Sequence, residues 1–163
     1  MAYHIAQVNV SLPREPLDSE RLADFVAALD PVNAVADTVA GFVWRLQTED
    51  GNATAVRVLG DDRLIVNLTV WESVEALGDF VFRTPAHLDV LRRRRHWFEP
   101  PAQAMTALWW VPAGERPTVA DAEQRLLHLR EHGPTPYAFT FRDPFAAPGA
   151  EAPRQDEGWF CPA

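Results

Sequence analysis

The sequence contains no lysine; all 15 of its basic residues are arginine. A Schiff-base lysine, a pyridoxal anchor and a P-loop lysine are thereby excluded. A single cysteine, Cys161, leaves no intrachain disulfide possible and gives no basis for a cysteine-rich metal site. Serine occurs only as Ser11, Ser19 and Ser73, none of them in a G-x-S-x-G elbow. No apolar run approaches the about 18 residues of a membrane span. No basic stretch precedes an apolar one at the N-terminus, so no secretory leader is read and the expected location is cytoplasmic, without a membrane partner. A net charge of -8 lacks the basic footprint of a nucleic-acid binder. No flavin, nicotinamide or metal motif is present, and no cofactor is expected.

What the chain does have is the balance of a soluble globular domain: 163 residues, 47% hydrophobic and 23% charged. At that length one core closes without metal or disulfide staples. Arginine in place of lysine, with much Ala and Pro, suits a GC-rich bacterial genome.

Residues 3–11 and 63–71 read as strands from their β-branched content, as do 41–47, 105–111 and 137–142. The segment 55–59 is either a hairpin arm or a loop. Leu22, Phe25, Val26 and Leu29 recur at helical spacing after a potential cap at Asp18, and Pro31 is expected to kink that helix or begin a second one. Ser73 is placed to cap a helix bearing Val74, Leu77, Phe80 and Val81. Thr84-Pro85 opens another to about Phe98. Thr118 caps a helix that Gly133-Pro134 closes. The order β-α-β-β-α-β, then α-β, is the split βαβ arrangement of an α+β, ferredoxin-like fold with one added unit. Residues 1–142 form the expected domain and 143–163 an extended tail, with Trp159 and Phe160 able to dock. Helices would lie on one sheet face. Trp44, Trp71, Trp109 and Trp110 on strands call for cover on the other, which points to a homodimer.

Polar residues interrupt the apolar faces in three places. On a wheel of roughly 100° per residue, His87 and Arg94 fall at the centre of the arc set by Ala86, Val90, Leu91, Trp97 and Phe98, while Arg92 and Arg93 point away. The two are either a structural pair satisfied by neighbours or the polar groups of a pocket for an anionic or oxygen-bearing ligand. Asn33 faces inward if the kink at Pro31 is small, and otherwise bonds a freed carbonyl. Strand alternation gives Gln7, Asn9, Asn67 and Thr69 one face and Val8, Val10, Val66, Leu68 and Val70 the other. Those amides line a pocket or bridge a dimer. His128 and His132 have zinc-helix spacing, but Leu129 stands where a catalytic Glu is needed, and both lie opposite Val119 and Leu126. They are read as solvated surface, and no metal site is expected.

LTVWESVEALGDFVFRTPAH (68–87) resembles the dimeric α/β-barrel superfamily of antibiotic-biosynthesis monooxygenases and haem-degrading enzymes. HIAQVNV (4–10), GFVWRLQ (41–47) and RTPAHLDVLRRRRHWF (83–98) resemble, more closely, a bacterial family within it that is known only as a domain of unknown function. The resemblance implies a homodimeric barrel with a hydrophobic pocket for a small aromatic or apolar ligand, and a cofactor-independent oxygenation. Joined to the helical wheel and the strand alternation, it makes His87 the acid/base, with Asn9 and Arg94 stabilising an anion. Trp44, Trp71, Trp97, Asn67 and Phe80 would bind substrate. It also carries two alternatives. One is haem binding or degradation through His87 as iron ligand, for which Phe80 stands where those enzymes have a helix tryptophan. The other is a non-catalytic binding or assembly module.

Overall fold

The computed structural model describes residues 1–150. Four strands form one antiparallel sheet: β1 (Tyr3–Ser11), β2 (Phe42–Arg45), β3 (Ile65–Trp71) and β4 (Thr106–Pro112). Their spatial order is β2-β3-β1-β4. With α1 (Ala23–Thr38) after β1, and α2 (Val74–Arg83) and α3 (Pro85–Trp97) after β3, this is the ferredoxin-like α+β topology. A last helix, α4 (Val119–His132), follows β4.

Local chemistry explains the helix starts. The Ser73 hydroxyl accepts the Ala76 amide at 3.1 Å, and Pro85 occupies the first turn of α3. Thr118 and Asp121 form a reciprocal capping box. Among the described residues the Asp18 side chain makes no hydrogen bond, and a short 3-10 turn, Glu20–Leu22, with Ser19 before it, leads into α1. Pro31 neither ends α1 nor starts a new helix, and one element runs through it. The segment 55–59 is a loop with one bridge, Val58 to Asp61.

Register divides the residues between two faces. Gln7 pairs with Thr69 and Asn9 with Asn67, while Val8 pairs with Leu68 and Val10 with Val66. The polar face looks toward α1, α2 and α3, where Ile5, Trp71 and Leu108 pack with Ala36, Leu77 and Phe80. The aliphatic face is covered within the chain. Val8, Val10, Leu68, Ala107 and Trp109 pack against Ala122, Leu126 and Leu129 of α4, with Ala53 and Val58 from the loop before β3. Trp71 and Trp109 are 0% and 1% exposed. Of the two grounds for a homodimer, the bare sheet face and the family resemblance, α4 answers the first by covering that face from within the chain.

The expected strand 137–142 keeps one bridge to the sheet, in which Phe139 and Leu108 exchange both backbone hydrogen bonds, while Ala138 bridges only locally to Thr135. Aromatic anchors on separate elements bend the segment away from β4. Tyr137 lies under the Arg125 guanidinium at 3.7 Å, and Phe141 meets Phe82 at 5.1 Å. The chain continues along the body: the Trp110 indole N–H donates to the Phe145 carbonyl at 2.8 Å. Trp159, Phe160 and Cys161 lie outside the described residues. Among the described residues, no helix is long and apolar enough to cross a membrane.

Candidate functional site

A cavity of about 940 Å³ opens between the polar sheet face and helices α1 and α3. Of the residues the sequence singles out, it gathers His87, Asn9, Arg94, Asn67, Trp71 and Phe80, together with Gln7, Thr69 and Asn33.

His87 enters the cavity from the first turn of α3. Its Nδ1 lies 2.9 Å from the Val81 carbonyl, in the last turn of α2. That carbonyl has no partner within its own helix, so the imidazole donates to it and caps α2. The proton of the neutral ring is thereby fixed on Nδ1, and Nε2 is left as a lone-pair site. Burial pulls the imidazole below its ordinary 6.5, although the hydrogen bond to Val81 works the other way. The positive end of the α3 dipole also disfavours the cation. At neutral pH the ring is therefore a neutral base.

An aromatic series leads up to it. Phe42 meets Trp71 edge-on at 5.3 Å, Trp71 stacks on Phe80 at 5.1 Å, and Phe80 touches His87 at 5.0 Å. Polar groups on the strands are tied to one another. The Trp71 indole N–H donates to the Thr69 hydroxyl at 3.0 Å, which donates in turn to Gln7. The Asn9 amide donates to the Thr106 hydroxyl at 2.7 Å, and its carbonyl oxygen accepts from Ser11. Asn33 and Asn67 make no side-chain hydrogen bond among the described residues. For Asn33 this excludes a bond to a freed carbonyl near Pro31. Within the sheet and first-turn part of the cavity the walls are thus apolar, with a few amides and one neutral imidazole, the kind of lining that small-molecule pockets use.

Two expected wall residues stand elsewhere. Phe42 pairs with Trp71 but Trp44 with Val70, so two steps on β2 match one on β3. This bulge turns Trp44 to the α4 side of the sheet, and Phe42 takes the aromatic position beside Trp71. Trp97 is fully buried in a separate cluster with Leu22 and Phe25, under the Arg93 guanidinium at 4.8 Å. It holds α3 against α1 and does not line the cavity.

Arg94 lines the cavity and Arg92 and Arg93 do not, but Arg94 is exposed rather than central to a buried stripe, and Arg93 does not point away: it lies over Trp97 and meets Asp24 of α1. Arg95 and Arg142 line it as well, and were not anticipated. Arg95 falls at the edge of the wheel, and Arg142 depends on the course of the segment after α4. His128 and His132 lie on α4 outside the cavity, their rings 4.5 Å apart, with His128 on the Thr135 hydroxyl. No group of metal-ligating side chains occurs among the described residues.

Sheet, helices and cavity together define a ferredoxin-like α+β domain with a chamber between the polar sheet face and its helices. The chain belongs to the DUF3291 family, described as a domain of unknown function, whose model matches residues 4–155. No curated protein is similar in sequence. Solved structures with similarity include SnoaB of Streptomyces nogalater, a cofactor-independent oxygenase, at 17% identity and a TM-score of 0.46, covering 71% of this chain and 97% of that one. Rv0793 of Mycobacterium tuberculosis is 14% identical with a TM-score of 0.45, covering 71% and 99%.

Proposed function

We propose that the chain is an enzyme acting on a small aromatic or apolar molecule in this cavity, by cofactor-independent oxygenation. The observation that carries the reading is His87. It is a neutral imidazole with Nδ1 committed to Val81 and Nε2 free, at the end of an aromatic wall. Such a base removes a proton from an acidic carbon or hydroxyl of the substrate. The resulting anion sits against Asn9 and Asn67. An electron-rich carbanion reduces oxygen without help. One oxygen atom stays on carbon as a carbonyl in place of two hydrogens, and the other leaves as water. Trp71 and Phe80 hold the ring system and exclude bulk water.

The test is oxygen uptake by chelator-treated, flavin-free protein with a panel of electron-rich polycyclic carbon acids. We expect turnover on at least one member, and a loss of about 10²–10⁴-fold in His87→Ala, the usual worth of a general base. Turnover by a folded His87→Ala at the original rate overturns the assignment. A second reading uses the same atom. An imidazole anchored through Nδ1 to a carbonyl is also the arrangement of a metal-ligating histidine, so Nε2 of His87 is the atom that would hold haem iron, a Lewis acid and redox centre when bound. Haemin titration separates the two. A Soret shift in the parent chain that His87→Ala lacks makes His87 a ligand rather than a base.

A further inference from the structure

The positive charge around the cavity is out of keeping with the chain. The protein carries -8, yet the cavity is lined by four arginines, Arg45, Arg94, Arg95 and Arg142, and by one carboxylate, Glu99. Glu99 is already neutralised by Arg14 at 3.1 Å, and Arg45 by Asp37 at 2.8 Å. The other three have no hydrogen bond, ion pair or ring contact from their side chains among the described residues. Elsewhere arginines are satisfied: Arg93 meets Asp24, Arg63 meets Asp61, Arg130 donates to the Ala104 carbonyl and Arg125 to that of Tyr137. Arg92 is the one other described arginine without such a contact, and it lies outside the cavity. In an acidic protein with carboxylates to spare, the unmatched cations collect on the cavity.

Arg94 and Arg95 are exposed and stand where the cavity reaches solvent, near the C-terminal end of α3. His87 is in the first turn of the same helix. Seven residues at 1.5 Å each separate His87 and Arg94 by about 10 Å along the axis. One oxygen atom cannot touch both, so Arg94 reaches a part of the ligand remote from the reacting atom. A guanidinium at that place is suited to a permanent anion, which it can grip through two parallel N–H groups.

We infer that the ligand is an elongated aromatic acid, its ring system against Trp71 and Phe80 near His87 and a permanent anionic oxygen group held by Arg94 and Arg95. The inference rests on the cavity being a ligand site, and it adds the class of ligand.

Two fluorescent probes of one skeleton test it: 2-anilinonaphthalene-6-sulfonate, anionic at one end, and 2-anilinonaphthalene, its neutral parent. The parent chain should bind the sulfonate at least about tenfold more tightly than the neutral probe, since a charged hydrogen-bond partner is worth roughly that factor or more. Added salt should narrow the gap. Arg94→Gln/Arg95→Gln should weaken the sulfonate by roughly 10- to 100-fold and leave the neutral probe within about twofold, whereas Arg92→Gln should change neither. Both residues lack partners in the fold, so the doubled variant should melt with the parent. The single variants Arg94→Gln and Arg95→Gln give the same reading by halves. Equal binding of the two probes in the parent, or an unchanged preference in the doubled variant, overturns the inference while the cavity stands as a ligand site. Failure of both probes to bind overturns the ligand site as well.

Discussion

His87 divides two tasks between its ring nitrogens. Nδ1 closes the end of α2, and Nε2 is the proposed base. The first has a cost when removed: His87→Ala leaves the Val81 carbonyl without its donor, a loss of about 1 kcal/mol and not a loss of fold. A drop of several kcal/mol in the urea midpoint would make the residue chiefly structural. Its lowered pKa also has a sign. The folded state holds the proton less tightly than the unfolded one. Below the ordinary 6.5, therefore, the unfolded chain takes up a proton first, and stability falls as pH drops from 6.5 toward the folded pKa. Denaturation midpoints between pH 7.5 and 5 should decline more steeply for the parent than for His87→Phe. Parallel slopes would mean that the imidazole is not held neutral. The three neighbouring arginines then separate by role. Arg93 bridges Asp24 and Asp89 and covers Trp97, so Arg93→Ala lowers stability by about 0.5–1 kcal/mol. Arg94→Ala and Arg92→Ala leave the melting temperature where it is, and Arg94→Ala alone weakens an anionic ligand.

At the scale of elements, the strand alternation of β1 and β3 was readable because those strands pair without interruption, and with it came Asn9, Asn67 and the polar face. β2 was not, because one bulge reverses the facing of Trp44, and nothing in GFVWRLQ marks which residue is the extra one. The sequence placed His87 and Arg94 because α3 is one unbroken helix. It misassigned Trp97 because a wheel gives a direction and not a neighbour: α1 lies on the same side as the cavity and takes the indole. Trp97→Ala should cost about 3–5 kcal/mol by the cavity it leaves, without changing the affinity of the neutral probe. A loss of probe affinity in folded protein would put the indole in the site after all. The turn before β2 has its own constraint. Gly41 has φ +87°, and a Cβ there would stand 2.5 Å from the Ala76 Cβ of α2. Gly41→Ala therefore forces α2 off the sheet, and should destabilise by more than the ordinary roughly 1 kcal/mol of a strained backbone position. A melting curve like the parent's would mean that the corner yields freely.

For the whole molecule, the decisive element is α4. A four-stranded sheet with helices on one side has a second apolar face that must find cover. Here Leu126 at 0% exposure, with Ala122 and Leu129, supplies it from within the chain, held by the Thr118 capping box at one end and Arg125 and His128 against Tyr137 at the other. Whether cover comes from the chain or from a second copy has a thermodynamic signature. An interface that holds the fold together makes stability depend on protein concentration, whereas an intrachain core does not. Leu126→Ala removes packing from the centre of that face and should cost about 2–5 kcal/mol. The same loss should appear at 1 and at 100 µM protein, about two orders of magnitude apart, because mass action plays no part in an intrachain contact. Calorimetry at the two concentrations, with light scattering on the same samples, decides the matter. A melting temperature that climbs with concentration in the parent, and a Leu126→Ala variant that dissociates before it unfolds, would show that this face is shared between two chains and that α4 yields to a partner's sheet.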